Sequence, residues 1–201
     1  MTPAQFRAGE SLHHQGEFAN ALALYNAVIK SANAKYLPNS LYRAGDSAGA
    51  LKKWEDSQKH YQQLITSFPN FYAVNEARYG LGLSLQNQNQ LETAKKVYLE
   101  VTEKTASPTA AKCRFMLGEI AFAQKKYEEA SAHFLEVTVG YPEKETYAEW
   151  QALAHLESGR CFIVLKKYDL AREELQTVIT KYSKHPRVKD AQTLLTGIRD
   201  K

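Results

Sequence analysis

Apolar and small residues return along this chain in a fixed order. A glycine is followed nine residues later by an aromatic residue or leucine, three further by a small residue, and four further by another aromatic or leucine. The order runs Gly9–Phe18–Ala21–Tyr25, Gly45–Trp54–Ser57–Tyr61, Gly82–Leu91–Ala94–Tyr98, Gly118–Tyr127–Ala130–Phe134 and Gly159–Tyr168–Ala171–Leu175. The glycine-to-glycine steps are 36, 37, 36 and 41 residues. A fixed period of this length, with helical spacing inside it, predicts a helical solenoid. Each unit reads as two amphipathic helices, A and B, joined by a short turn.

The fourth unit illustrates the reading. Helix A runs from about Thr109 to Gln124, with Phe115, Leu117, Ile120 and Ala121 at helical spacing. Lys125 and Lys126 make the turn, and helix B runs from Tyr127 to Val139, stopped by Pro142, which cannot continue a helix. Gly118 and Ala130 fall where A and B cross. A glycine inside a helix costs about 1 kcal/mol against alanine, so keeping one in each of the units implies a packing demand. Thr2-Pro3 with Gln5, and Thr146 with Glu149, have the spacing of capping boxes. Ser107-Pro108 places a capping serine before a proline suited to the first turn. Residues 186–198 carry Val188, Ala191, Leu194, Leu195 and Ile198 on one face and are expected to cap the last unit.

These units resemble the tetratricopeptide repeat family. The family has a small residue at the eighth position of its unit, an aromatic at the seventeenth, alanine at the twentieth, an aromatic at the twenty-fourth and proline at the thirty-second. Gly45, Trp54, Ser57, Tyr61 and Pro69 fit that register, as do Gly118, Tyr127, Ala130, Phe134 and Pro142. The resemblance covers residues 3–183. It implies an all-α, right-handed superhelical solenoid of about five helix pairs plus a C-terminal capping helix. A single array over 1–201 is expected, with repeats near 2–37, 38–74, 75–108, 109–145 and 146–184 and a cap at 185–199. There are departures. Three units use Pro38, Pro108 and Pro186 a little later than the family does. The bulky residue usual at the fourth position is replaced by Gln5, Arg78, Arg114 and His155, which suggests looser outer packing of helix A.

The resemblance also implies that the A helices line an inner groove that holds a segment of a partner protein. Its fifth-position row is Phe6, Tyr42, Tyr79, Phe115 and Leu156. The neighbouring rows supply Arg7, Arg43, Asp46, Leu83, Gln86, Lys112, Glu119, Phe122 and Arg160, with Glu10, Asn87, Met116 and Ile163 beside them. Aromatics and arginine are enriched at interface hot spots. The clamp by which some members hold a free C-terminal carboxylate needs lysine at the fifth position, where this chain has aromatics and leucine. The step between the fourth and fifth units is longer, so residues 143–147 are expected to bulge as a loop or to lengthen helix A. The turns Ser-Phe-Pro-Asn, Gly-Tyr-Pro-Glu and Lys-Tyr-Ser-Lys-His-Pro resemble the bacterial envelope branch, which includes a periplasmic Tol-Pal partner and barrel-assembly lipoproteins.

Composition adds little to this picture. The chain has 201 residues, 26 Lys and Arg against 22 Asp and Glu, and a net charge of +4. Nine basic and five acidic residues lie from Lys166 onward, so the whole excess sits at the C-terminal end. A basic end could meet an acidic partner or phosphates; a solvated helix face is the commoner reading, and no aromatics interleave with those lysines as nucleic acid would want. No apolar run is long enough to span a membrane. No signal peptide is visible, and the spacing caps the first helix at Thr2, so a segment of a longer protein is expected. That leaves the compartment unassigned. Cys113 and Cys161 are seven positions apart in register, too far for a disulfide, and are expected to be reduced and partly buried. The six histidines form no HExxH arrangement, and no P-loop, GxGxxG after a strand or nucleophile–base spacing is present. The expectation is a non-catalytic scaffold with no cofactor and no metal, binding another protein or a peptide. The alternative is a self-association module forming a homo-oligomer, or an accessory domain of a larger multidomain protein.

Overall fold

The computed structural model describes residues 2–201. Its helices, in order, are α1 (Thr2–His14), α2 (Phe18–Lys30), α3 (Leu37–Ala50), α4 (Trp54–Ser67), α5 (Val74–Asn87), α6 (Leu91–Thr102), α7 (Pro108–Ala123), α8 (Tyr127–Val139), α9 (Glu145–Val164), α10 (Tyr168–Lys181) and α11 (Val188–Gly197). No strand occurs among the described residues. The chain divides into two compact units, Met1–Val97 and Tyr98–Lys201.

The turn inside each repeat is built in one way. The second residue after each helix A is left-handed: Gly16 (φ +79°), Lys52 (+58°), Asn89 (+60°), Lys125 (+61°) and Lys166 (+57°). Its N–H bonds a carbonyl three residues back, and the next N–H bonds one five back. In the fourth repeat these are Lys125 N to Phe122 O and Lys126 N to Ala121 O, both 2.9 Å, and the other four turns repeat the pair. This is the Schellman arrangement, which satisfies two carbonyls that the helix end would otherwise orphan.

Within the first unit each helix packs on the next from α1 to α5, and α3 also touches α5. Within the second, α7 to α10 do the same, α11 packs on α10, and α7 touches α9. Helices pair, and A helices of neighbouring repeats stack, as the solenoid reading requires. The repeat-defining glycines sit against the last aromatic or leucine of their own unit. A Cβ on Gly9 would come 2.8 Å from Tyr25, on Gly45 2.7 Å from Tyr61, on Gly118 2.5 Å from Phe134, and on Gly159 2.8 Å from Leu175. Gly80, on the next repeat, meets the Tyr61 ring more closely still. Tyr61 is therefore lodged between two glycines, one on α3 and one on α5. Ser57 takes the place of the family's alanine, and its hydroxyl donates to the Gly45 carbonyl at 2.9 Å. Ser84 of α5 in turn bonds the Ser57 hydroxyl at 2.9 Å.

Several sequence expectations need correction. At Arg114 and His155 the fourth position is not loose. Arg114 Nε pairs with Glu136 on α8 at 2.8 Å, and His155 Nδ1 bonds Glu174 on α10 at 2.8 Å. Polar contacts between A and B replace the missing apolar bulk there. Thr146 does not cap a helix: α9 starts earlier, at Glu145, and Lys144 in the capping place makes no side-chain capping bond. Ser107 does cap α7, accepting from Ala110 N at 3.2 Å. The Thr2 side chain, on which the first capping box rests, lies outside the described residues. The longer fourth-to-fifth step is spent largely on helix, since α9 has 20 residues where α7 has 16. Cys113 and Cys161 are free, as expected, but wholly rather than partly buried. The cap begins slightly later than Pro186, at Val188, and its Ala191 and Ile198 join a core with Leu156, Phe162 and Leu175.

Candidate protein-binding surface

In the first unit, the helix-A residues chosen from the sequence form an internally bonded network. Arg43 on α3 reaches back to Glu10 on α1, Nε to carboxylate 2.8 Å, and lies 3.6 Å from Asp46 one turn along its own helix. The Tyr25 hydroxyl donates to Glu10 at 3.0 Å and the Tyr61 hydroxyl to Asp46 at 2.5 Å. Arg43 also lies beside the Tyr42 ring, 5.7 Å from its centroid. Burial raises the Asp46 carboxyl despite the Tyr61 bond and Arg43, which favour its charged form. Burial, helped by Asp46, pushes the Tyr42 phenol up to about 12. These charges are largely committed to joining the first two repeats. Half-buried Phe6 packs on Tyr25 and Tyr36, at 6.0 and 5.4 Å between centroids. Arg7 is exposed, and Tyr79, Leu83 and Gln86 are half-buried.

The second unit divides the predicted residues differently. Phe115 and Leu156 are core, 7% and 0% exposed, rather than rungs of an open ladder. Phe115 is covered from α9, where Trp150 lies on it edge-to-face, centroids 5.4 Å apart. Leu156 belongs to the cluster that α11 shares. What stays at the surface is Lys112, 5.7 Å from the Trp150 ring, and Arg160, 5.1 Å from the Phe122 ring. Such pairs hold cations over aromatic faces. Arg160 also pairs with buried Glu157 at 2.7 Å. Glu119 on α7 stands near them, half-buried, with its carboxyl raised by burial and by Glu157. Burial, with Glu157 nearby, likewise pushes the Cys161 thiol up to about 12, which keeps it protonated and inert.

Sequence reasoning missed Trp150, which lies six residues before Leu156, ahead of the first position that the repeat pattern marks. It also missed Tyr36, Phe71 and Tyr72, which lie in turns between repeats where the helical period gives no guidance. Among the described residues no three of His, Cys, Asp and Glu gather as metal ligands would. No helix among the described residues is long and apolar enough to cross a membrane.

Comparison with known proteins agrees with this architecture. No curated protein matches the chain. Among solved structures, MamA from Desulfovibrio magneticus RS-1 superposes with a TM-score of 0.71 at 16% identity, over 92% of this chain and 97% of that one. The apo quorum sensor NprR from B. thuringiensis gives 0.75 at 16% identity, over 97% of this chain and 57% of its own. YrrB, described as a TPR protein with an unusual peptide-binding site, gives 0.64 at 17% identity over 94% and 90%. At these identities the likeness concerns the fold. Two tetratricopeptide repeat models match the sequence itself, one over residues 3–36 and 79–145, the other over 39–70 and 153–185. With five glycine-keyed helix pairs and these matches in register, the chain belongs to the tetratricopeptide repeat family.

Proposed function

We propose that this chain is a non-catalytic scaffold that holds a segment of a partner protein along its A helices, in a single array of five repeats and a cap. The observation that carries the reading is the chemistry left at the surface of the second unit. Lys112 on Trp150 toward the start of α7, and Arg160 on Phe122 with half-buried Glu119 toward its end, set two cation–aromatic pairs and a carboxyl along the same pair of helices. Aromatics and arginine of this kind anchor interfaces. The first unit has its own half-buried surface residues Tyr79, Leu83 and Gln86, while Arg43 and Asp46 tie its first two repeats together. The peptide-binding site described for YrrB supports a peptide or protein as the partner.

The setting we propose is bacterial cell-envelope assembly, supported by the turns at Ser67–Asn70, Gly140–Glu143 and Lys181–Pro186. The test compares capture from source lysate by the wild-type chain and by a Tyr79→Ala/Phe122→Ala variant of unchanged circular dichroism. A partner held by the wild type alone supports the surface, and an envelope protein among the captured species supports the setting. Equal capture by both chains places the contact elsewhere.

A further inference from the structure

The turns between repeats of the first unit carry a groove of different character. It lies between the start of α3 and the link from α4 to α5, and has a volume of about 390 Å³. Pro38, Ser67, Phe68, Pro69, Asn70 and Phe71 line it. Tyr72 follows, 80% exposed, with its ring 4.4 Å from that of Phe71. Tyr42 of α3 adds a third ring, 6.2 Å from Phe71. A tyrosine this exposed gains little from burial, so folding alone does not account for it.

The chemistry of the groove selects its occupant. None of its six lining residues is ionisable. A charged segment finds no opposite charge in that lining to pair with. An added strand needs a sheet edge to pair with, and this groove is built from helix ends and turns. What it offers is aromatic faces and carboxamides. The Tyr72 hydroxyl donates to Asn39 Oδ1 at 3.4 Å, which leaves the Asn39 amide N–H groups pointing to other acceptors. Prolines in a left-handed extended helix present the complement: apolar rings, and carbonyl acceptors without N–H donors. One turn of that helix is about 9 Å long, and the rings of Tyr42, Phe71 and Tyr72 reach over at most about 10 Å.

We infer that the groove from Pro38 to Tyr72 is a docking site for a proline-rich segment of a partner protein, held as a polyproline II helix. Its pyrrolidine rings lie on Phe71 and Tyr72, and its carbonyls accept from the amides of Asn39 and Asn70. The pocket at the turns of the second unit, about 410 Å³, is lined by Glu103, Lys104, Arg114 and Glu136 among others and lacks this character. The site borders the helix-A row at Asn39 and Tyr42, but Phe71 and Tyr72 lie outside that row, so Tyr72→Ala tests it apart from Tyr79→Ala/Phe122→Ala.

The test is a titration of the isotope-labelled chain with a polyproline peptide of about ten residues, followed by NMR, with a Gly-Ser peptide of equal length as control. Saturable shifts are expected at residues 67–72 and at the Asn39 and Asn70 side-chain amides, with polyproline only. Tyr72→Ala should weaken binding roughly tenfold at an unchanged melting temperature, and Tyr72→Phe should weaken it less, since it keeps the ring. Absence of saturable shifts at millimolar peptide, shifts confined to α7 and α9, or equal affinity in Tyr72→Ala overturns the proposal. Shifts at these residues that grow with protein concentration alone, with matching sedimentation, would give the groove to a second copy and also overturn it.

Discussion

The ring of Phe134 occupies the space that a side chain on Gly118 would need, its nearest atom 2.5 Å from where a Cβ would stand. Phe134 is fully buried and cannot swing aside. Gly118→Leu is therefore expected to destabilise the chain by about 1–3 kcal/mol through overpacking. Urea denaturation checks this. Gly118→Leu combined with Phe134→Ala should recover part of the loss, and a neutral single variant would contradict the packing.

The left-handed lysines in the turns carry backbone strain that glycine would relieve. A left-handed L-residue costs about 1–2 kcal/mol, partly offset because glycine loses more chain entropy on folding. Lys125→Gly and Lys166→Gly should each stabilise by roughly 0.5–1 kcal/mol. Gly16→Ala, the reverse change at φ +79°, should cost about 1 kcal/mol. Thermal unfolding of the three variants reads both signs.

Arg43 ties α1 to α3 through Glu10 and supports Asp46. Arg43→Met keeps the stem and removes the charge, leaving Asp46 with Tyr61 as its hydrogen-bond partner. A loss of about 1–3 kcal/mol is expected, the range for hydrogen bonds to charged groups. If Arg43 mattered mainly for ligand contact, the free protein would keep its stability.

Glu119 makes stability depend on pH in an identifiable direction. Its carboxyl is raised by burial and by Glu157, so the folded chain binds its proton more tightly than the unfolded chain does. That contribution is present at acidic pH and is lost as pH rises from the ordinary carboxylate range through the raised folded value. Glu119→Gln should flatten this part of the stability–pH curve and gain stability near neutrality. Denaturation midpoints from pH 4 to 7 test it, and a wild-type slope retained in the variant would refute the assignment.

The helix pairs were legible because their glycines and aromatics keep one period, and contact between them is what that period exists to serve. The turn geometry was not: lysine has no left-handed preference, so Lys52, Lys125 and Lys166 read only as polar turn residues. Arg114 and His155 looked like missing apolar bulk because their partners, Glu136 and Glu174, lie 22 and 19 residues away on another helix. The fifth-position row misled for a similar reason. Phe115 and Tyr42 share a register, but exposure depends on the neighbouring element, and Trp150 covers the first. Period identifies a face of a helix, whereas burial is decided by whatever packs against it.

The seat of Tyr61 between Gly45 and Gly80 has a consequence for the order of the array. At the position of Gly80, the other A helices carry Arg7, Arg43, Met116 and Glu157. Any of them would bring a Cβ within 2.4 Å of the Tyr61 ring as it now sits, so the ring would have to move for another A helix to stack behind the second repeat. Repeat proteins are prone to pairing the wrong neighbours as they fold. Here one missing side chain acts as an address, telling near-identical modules apart and making a skipped repeat sterically costly.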